Sequence, residues 1–401
     1  MISGRNIVCF ASGYDAPPTS KHHVAHLLAE DNRVLWVNYH ASRAPQANVA
    51  DASRILRKIR QVFTGLEHPR PNLWVLTPLV VPLPASPIVR RTNRMLLVRQ
   101  VKKALSMLPP AQIHVWSFTP DIAYALGHFG EERVLYYCVD DFACFSGYDR
   151  NQVLKDEAQL CLRSHLVVTT SLALQEAKAK LNPNTMLVPH GVDFDHFSRA
   201  VNEALDEPPE LAAIPRPRLG FFGLIRDWVN VDLVAKVAQR RPEWQFVFIG
   251  DSTIDLSPFA DLANMRFVGQ RPYAQLPAWC RHLDAGLIPF RINELTRAVN
   301  PIKLREYLAA GLPVISTPLP EVMRYQPMVS IADDPASFEA AIEKCLRLPS
   351  SCKLSRMKAM ADETWPAKVR AIRQALDQSS LQTPHENANT RESDITRAGC
   401  A

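Results

Sequence analysis

Apolar positions along the chain fall into two rhythms. Short, nearly unbroken apolar runs recur in the first half: NIVCFAS (6–12), RVLWVN (33–38), LWVLTP (73–78), IHVWSF (113–118), RVLYYC (133–138), HLVVTTS (165–171) and MLVPHG (186–191). Runs of this length without alternation are expected of parallel strands whose two faces are both covered. Most intervals between them are long enough for a crossover helix. The rhythm returns at RLGFFG (218–223), WQFVFIG (244–250), MRFVG (265–269), DAGLIPF (284–290), LPVIST (312–317) and MVSIA (328–332). Helical spacing fits the gaps at 230–241, 273–281, 302–310 and 336–347, and again at WPAKVRAIRQAL (365–376).

Between the two series, SRAVNEALDEPPELAAIPRP (198–217) is charged and Pro-rich and reads as a linker with room for one short helix. The expected organisation is therefore an α/β domain over 1–197, a linker over 198–217, a second and smaller α/β domain over 218–360, a closing helix over 361–376 and a disordered polar tail over 377–401. Two such domains in series suggest a cleft, with ligands at the carboxyl ends of the strands.

Composition narrows the partners. The net charge of +6 is mild and suits phosphorylated small molecules or anionic lipid, and no zinc-finger spacing or basic tail points to nucleic acid. None of the eight cysteines forms a CxxC pair; they read as reduced core residues of a reducing compartment. The first residues read as a strand rather than a signal peptide, and no run of eighteen apolar residues exists, so any membrane contact is expected to be peripheral and the site cytoplasmic.

The most informative stretch is NPIKLREYLAAGLPVIST (300–317). Asn300 and Pro301 open a helix whose first turn attracts phosphate. Lys303 sits near that end, and Glu306 follows one turn later on the same face, where a carboxylate accepts two hydrogen bonds from a ribose diol. Residue types alone fit an ordinary amphipathic helix with solvated charges equally well. The pattern itself, however, resembles P-x-K-x-x-E-x-x-A-x-G-x-P-V of the GT-B glycosyltransferases of group 1, matched by Pro301, Lys303, Glu306, Ala309, Gly311, Pro313 and Val314. The resemblance implies two Rossmann-like domains facing a cleft and metal-independent transfer from a nucleotide sugar, with no cofactor. It makes Glu306 the ribose ligand and Lys303 the phosphate-side cation. The acidic residue that the family often carries eight positions earlier is here Ala298, which leaves an inverting relative open. Lys303, Glu306 and Tyr307 also fit the K-x-x-(E/Q)-Y pattern of bacterial polysaccharide glucuronosyltransferases, a fainter resemblance.

Two further stretches extend the expected donor set, and a third is a marker of the fold. In GFFGLIRDWVNVDLV (220–234), Gly223 follows a strand and permits close approach of a pyrophosphate, Arg226 is a phosphate clamp, and Asp227 or Asn230 caps the next helix. In FVGQRPYAQLPAWCRHLDAGLIPF (267–290), Gln270 and Arg271 are the base-contact candidates, while Asp284 stabilises a turn. Asn300, Ile302, Lys303, Glu306 and Tyr307 complete the set. In MLVPHGVDFDHF (186–197), Gly191, Val192, Asp193 and Phe197 match the family's N-G-V-D-x-x-x-F signature, with His190 in place of Asn.

Acceptor-side candidates come from the first domain. VLYYCVDDFACF (134–145) runs a strand into Asp140 and Asp141, and a base for an acceptor hydroxyl needs such a carboxylate. The glucuronosyltransferase resemblance favours Asp141 as base; a helix cap with a solvated neighbour is the plainer alternative, and metal is not expected. Tyr14, Asp15, Lys21 and His22, in the loop after the first strand, and His190 are the acceptor-lining candidates. RRTNRMLLVRQVKKAL (90–105) is a basic helix expected to bury Val98, Val101 and Leu105; it suits an anionic membrane surface or plain solvation. The expected activity is transfer of a sugar from UDP or GDP to a glycan or lipid-linked glycan acceptor in surface polysaccharide or glycolipid assembly. A sugar-nucleotide 2-epimerase and a non-catalytic nucleotide-sugar-binding subunit are the alternatives.

Overall fold

The computed structural model describes residues 2–39, 65–81 and 87–379. The chain divides into two compact units, residues 1–189 with 369–401 and residues 190–368.

The first unit is built on an eight-stranded sheet in the order β3-β4-β2-β1-β5-β6-β7-β8. Its strands are β1 (Asn6–Ala11), β2 (Arg33–Asn38), β3 (Leu66–Arg70), β4 (Leu73–Leu76), β5 (Ile113–Ser117), β6 (Glu131–Cys138), β7 (Leu166–Thr169) and β8 (Thr185–Leu187). All neighbours run parallel except β3, which turns back antiparallel on β4. Apolar periodicity does not mark β3 because its LEHPR sequence is an almost fully exposed edge. The strand that opens the unit, β1, lies inside the sheet, so the chain reverses its winding between β1 and β5. That reversal is where open α/β sheets bind ligands.

The second unit repeats this logic with β9 (Arg218–Phe222), β10 (Gln245–Ile249), β11 (Met265–Phe267), β12 (Ala285–Ile288), β13 (Val314–Ser316) and β14 (Val329–Ile331). They form an all-parallel sheet in the order β11-β10-β9-β12-β13-β14, with the switch point between β9 and β12. Every expected strand and helix of this unit is present, with ends within a few residues of expectation.

Several expectations fail. Residues 198–217 are no linker. The unit boundary falls between Pro189 and His190, and helices Phe194–Asn202 and Pro209–Ala212 pack Phe197, Ala200 and Leu211 into the core of the second unit, joined by Ile214 just after them. Charge and proline density concealed a helix with a strong apolar stripe. The closing helix, Trp365–Gln378, belongs from Val369 onward to the first unit, where Arg373 donates to Asp31 (2.7 Å) and to the carbonyl of Ile2. It runs past the expected end at 376; residues 380–401 lie outside the described residues. The basic helix spans Pro87–Leu105, and its buried seam is Asn93, Leu97, Val101 and Ala104, with Val98 and Leu105 only half-buried. The seam is rotated from the expected one because Asn93 is buried: its side chain bonds both backbone groups of Val81 (2.7 and 2.8 Å). The seven described cysteines are free thiols.

Candidate functional site

In the second unit, the chain leaves β9 at Gly223 and folds over the end of β10. The Gly223 N–H bonds the Ile249 carbonyl (2.8 Å), and φ is +121° at Gly223 and +154° at Gly250. L side chains rarely adopt either conformation. A Cβ on Gly250 would lie 2.2 Å from the Gly223 carbonyl oxygen, so the two turns are nested. Over Gly223 lies Lys303. A Cβ there would fall 2.4 Å from Lys303 Cε and 2.7 Å from Nζ. The ammonium is also 5.4 Å and 5.8 Å from the ring centres of Phe221 and Phe290. Phe221 is on β9 and Phe290 follows β12, so the cation stands at the switch point of the sheet. Sequence reasoning paired Gly223 with Lys303 through the resemblance and missed Gly250, although a glycine directly after β10 was the available signal.

Lys303 is carried by helix Ile302–Ala309, where Glu306 follows one turn later. Glu306 is 5% exposed, and burial pushes its carboxyl up to about 7, with Lys303 pulling the other way and Asp193 adding to the rise. Burial raises the Tyr273 hydroxyl and Glu306 adds to the rise; the Tyr273 ring stacks on His196 (4.6 Å). Asp193 caps the helix bearing His196 by accepting from its N–H (3.3 Å). Glu306 is therefore within electrostatic reach of Lys303, Asp193 and Tyr273; the last two were not expected near it.

Other expected donor residues take structural parts. Tyr307 is fully buried: its hydroxyl accepts from the Phe222 N–H (3.0 Å) and donates to the Gly220 carbonyl (3.3 Å). Its ring fills the space over Gly286, where a Cβ would come within 2.7 Å of it. It seats the helix on the sheet and presents nothing to a ligand. Asn300 is likewise buried, accepting from Arg305 (2.7 Å) and donating to Glu321 (3.4 Å). Arg271 pairs with Glu210 (3.0 Å) and lies over Trp279, which takes it from the base-contact role; Gln270 beside it is exposed. Arg226 is half-buried over the Trp228 ring (5.3 Å), and Ile302 is half-buried at the helix start. Asn230, rather than Asp227, caps helix Val231–Arg240, and Asp284 holds its turn through the Arg218 N–H (2.7 Å).

His190 belongs to the second unit, not to the acceptor-side domain. It is buried 5.9 Å from the Trp365 ring centre, and burial together with the nearby Arg305 lowers its pKa to about 3. The following residues clasp the start of the closing helix: the Val192 N–H bonds the Glu363 carbonyl (2.8 Å), and a Cβ on Gly191 would strike the Trp365 backbone at 2.7 Å.

In the first unit the loop after β1 lies at the other switch point. His22 Nδ1 accepts from the Thr19 N–H (3.1 Å), so the proton is on Nε2, which donates to the Tyr14 carbonyl (3.0 Å). Burial, then the charge of Lys21, lowers His22 to about 3, so this imidazole is neutral and holds the loop. Tyr14 packs edge-on against Trp36 (5.3 Å) with its hydroxyl 3.3 Å from His26 Nε2. These two side chains brace the loop; Asp15 is exposed. Lys21 donates to the Ser12 hydroxyl, and burial brings it down to about 8.

Asp141 starts the single turn Phe142–Cys144. Its carboxylate accepts from the Cys144 thiol (3.3 Å) and its carbonyl from the Cys144 N–H (3.0 Å). The Asp140 carbonyl accepts from the Phe142 N–H (3.1 Å), and both aspartates are half-buried. Strand β6, which delivers them, is fixed from behind by a buried pair. Glu157 accepts from the Tyr136 hydroxyl (2.6 Å) and from Lys178 (2.7 Å).

The comparisons bear on the second unit most directly. Residues 216–347 match the family "Glycosyl transferases group 1". A Bacillus subtilis (strain 168) protein named as a teichuronic acid biosynthesis glycosyltransferase is 27% identical over 252 residues, 58% of this chain and 63% of that protein. The match thus spans under two thirds of the relative. An Escherichia coli trehalose-6-phosphate structure bound with UDP-2-fluoro glucose superposes with a TM-score of 0.64 at 12% identity, covering 93% of this chain and 99% of that one. Sucrose-phosphate synthase from Thermosynechococcus elongatus gives 0.65 at 15% identity over 93% and 98%. Anabaena HepE in complex with UDP and glucose gives 0.64 at 15% over 92% and 99%. At these identities the structures establish the fold, which is GT-B.

Proposed function

We propose that the chain is a metal-independent glycosyltransferase that moves a sugar from a nucleoside diphosphate sugar to a hydroxyl of a glycan or lipid-linked glycan during surface polysaccharide or glycolipid assembly. The observation that carries this reading is the ammonium of Lys303 held against Gly223 at the switch point, one helical turn before a buried carboxylate. A diphosphate needs a cation and a backbone without a Cβ; a ribose diol needs a fixed acceptor. The bond between the anomeric carbon and the diphosphate oxygen breaks while the acceptor oxygen bonds that carbon. Lys303 stabilises the departing charge, and Asp141 takes the acceptor proton. With Ala298 supplying no carboxylate, direct displacement with inversion is the reading favoured. The UDP-bound fold neighbours support a UDP-linked donor, and the relative named for teichuronic acid biosynthesis supports a role in polysaccharide assembly.

The proposed acceptor class puts the site on the cytoplasmic face of a membrane, with the protein peripheral. No helix among the described residues is long and apolar enough to cross one. Calorimetric titration of UDP and GDP, with and without EDTA, tests the donor reading. One of the two should bind regardless of EDTA, and Lys303→Ala should weaken it. Failure of both nucleotides, or loss of binding with EDTA, overturns the reading. Incubation with UDP-sugars and acceptor separates the alternatives: a 2-epimerised donor identifies an epimerase, and bound but unreacted donor identifies a binding subunit.

A further inference from the structure

Helix Pro87–Leu105 lies in a stretch with no carboxylate at all between Glu67 and Asp121. It carries Arg90, Arg91, Arg94, Arg99, Lys102 and Lys103. Arg90 turns inward and pairs with Asp156 (2.5 Å). Among the described residues, the other five make no ion pair, and all are exposed. At about 100° per residue, the helix surface opposite buried Leu97 is centred on Ile88 and Met95, two turns apart, with Arg91, Arg99 and Lys102 within about 60° of that line. Ile88 is 78% and Met95 64% exposed, so the most outward line of a cationic helix carries two large apolar side chains beside Arg99. One flank is similar. Segment 79–81 has its backbone satisfied by Gln100 and Asn93, while Leu79 is 53% exposed.

Pure solvation of a charged helix gives no reason for two large apolar side chains in the middle of its outer face. A polyphosphate chain such as nucleic acid would be met by the cations alone. Apolar side chains ringed by cations match a surface that is anionic outside and hydrocarbon beneath. We propose that this helix docks the protein on anionic phospholipid, with Ile88 and Met95 inserted below the headgroups and Arg91, Arg99 and Lys102 among the phosphates. The inference deepens the peripheral-membrane part of the function proposed above, yet it requires nothing of the donor site. The outward line of the helix supplies hydrophobic anchoring, and the cations supply selectivity for anionic lipid.

The test is flotation of the full chain with phosphatidylcholine vesicles, with and without phosphatidylglycerol. Wild type should float only with the anionic vesicles. Arg91→Gln/Arg99→Gln/Lys102→Gln should weaken binding by about 10²-fold, since each cation near such a surface contributes a factor of about five. Ile88→Gln/Met95→Gln keeps every charge and should still lose about tenfold or more, with the remaining binding more sensitive to salt. Both variants change exposed residues, so unaltered thermal melts should accompany the losses. Equal flotation of wild type and the apolar variant overturns the insertion. Absence of wild-type flotation, or binding to duplex DNA as strong as to vesicles and unaffected by the apolar variant, overturns the lipid assignment. UDP titration of the same proteins keeps the two readings apart, because vesicle binding without UDP binding sinks only the donor reading, and the converse sinks only this one.

Discussion

Glu306→Gln should make the protein more stable above neutral pH while weakening its grip on nucleotide. In the fold the carboxyl titrates at about 7, against an ordinary 4.5, because its burial outweighs the attraction of Lys303. The native state therefore binds this proton more tightly than the open chain does. Below about pH 4.5 both states hold it, and the stabilisation is complete; as pH rises through about 7 it is lost. The gap corresponds to about 3 kcal/mol at full ionisation. Glutamine resembles the protonated carboxyl in shape and has no charge to desolvate, so it removes this dependence. The two proteins should be nearly equal near pH 4 and diverge by about 3 kcal/mol near pH 8.5, or roughly 6–12 °C in the melting transition of a unit of this size. Scanning calorimetry of wild type and variant at both pH values, without nucleotide, measures the divergence directly. Other titrating groups cancel in the comparison. Calorimetric titration should then show UDP bound more weakly by the variant, by about 1–3 kcal/mol, because an amide accepts fewer hydrogen bonds from a diol than a carboxylate. Parallel stability curves for the two proteins would refute the raised carboxyl, and unchanged nucleotide affinity would remove Glu306 from the site.

Three other outcomes follow from the geometry. Tyr307→Phe leaves the Phe222 N–H without the hydroxyl it donates to, just past the point where β12 stops pairing with β9, and should cost about 1–3 kcal/mol in urea unfolding. His22→Gln keeps an acceptor for the Thr19 N–H but cannot be protonated. Wild-type His22, held neutral with a pKa lowered to about 3, contributes stability that is present above about 6.5 and lost as pH falls toward 3, so the variant should gain on wild type across that acid range, read by thermal melts. Asp141→Asn should preserve UDP affinity and cut turnover on the true acceptor by about 10²–10⁴-fold; near-normal turnover, or a collapse in Asp140→Asn instead, removes or shifts the base.

The alternation of strands and helices was legible because buried parallel strands leave continuous apolar runs such as RVLWVN, which is β2 residue for residue. The edge strand β3 was not, since four of its five residues face solvent and carry no pattern. The stretch 198–217 misled for a related reason. Its prolines and charges lie at turns and exposed faces, whereas Ala200, Leu211 and Ile214, too few and too scattered to stand out, are what the core uses. At the site, the resemblance brought out Lys303, Glu306 and Gly223 together. It could not show which neighbours face a ligand. Tyr307 and Glu306 are adjacent in sequence but point to opposite duties, and only the placement of the helix over Gly286 separates them. Arg271 looked available because nothing in the sequence places Glu210, sixty-one residues earlier, beside it.

Helix Ile302–Ala309 shows why packing residues matter to the chemistry. Eight residues form too short a helix to persist by propensity alone, so its position must come from its surroundings. On one side Tyr307 bolts it to β9 through two backbone groups. On another, Arg305, 1% exposed, reaches Asn300 (2.7 Å) and Glu363 (3.4 Å) and lies over the Tyr325 ring, while Glu321 closes the network through Asn300. These contacts fix both the rotation and the sliding of the helix. Rotation is what decides whether Lys303 covers Gly223 and whether Glu306 is buried, because a turn of one residue would carry both charges off the switch point. A buried carboxylate that costs stability once ionised, on a helix immobilised by neighbours that touch no ligand, is an arrangement in which packing energy offsets the strain of a preorganised polar site. Changes at Arg305 or Tyr307 should therefore weaken nucleotide binding through Lys303 and Glu306, without either residue meeting the nucleotide.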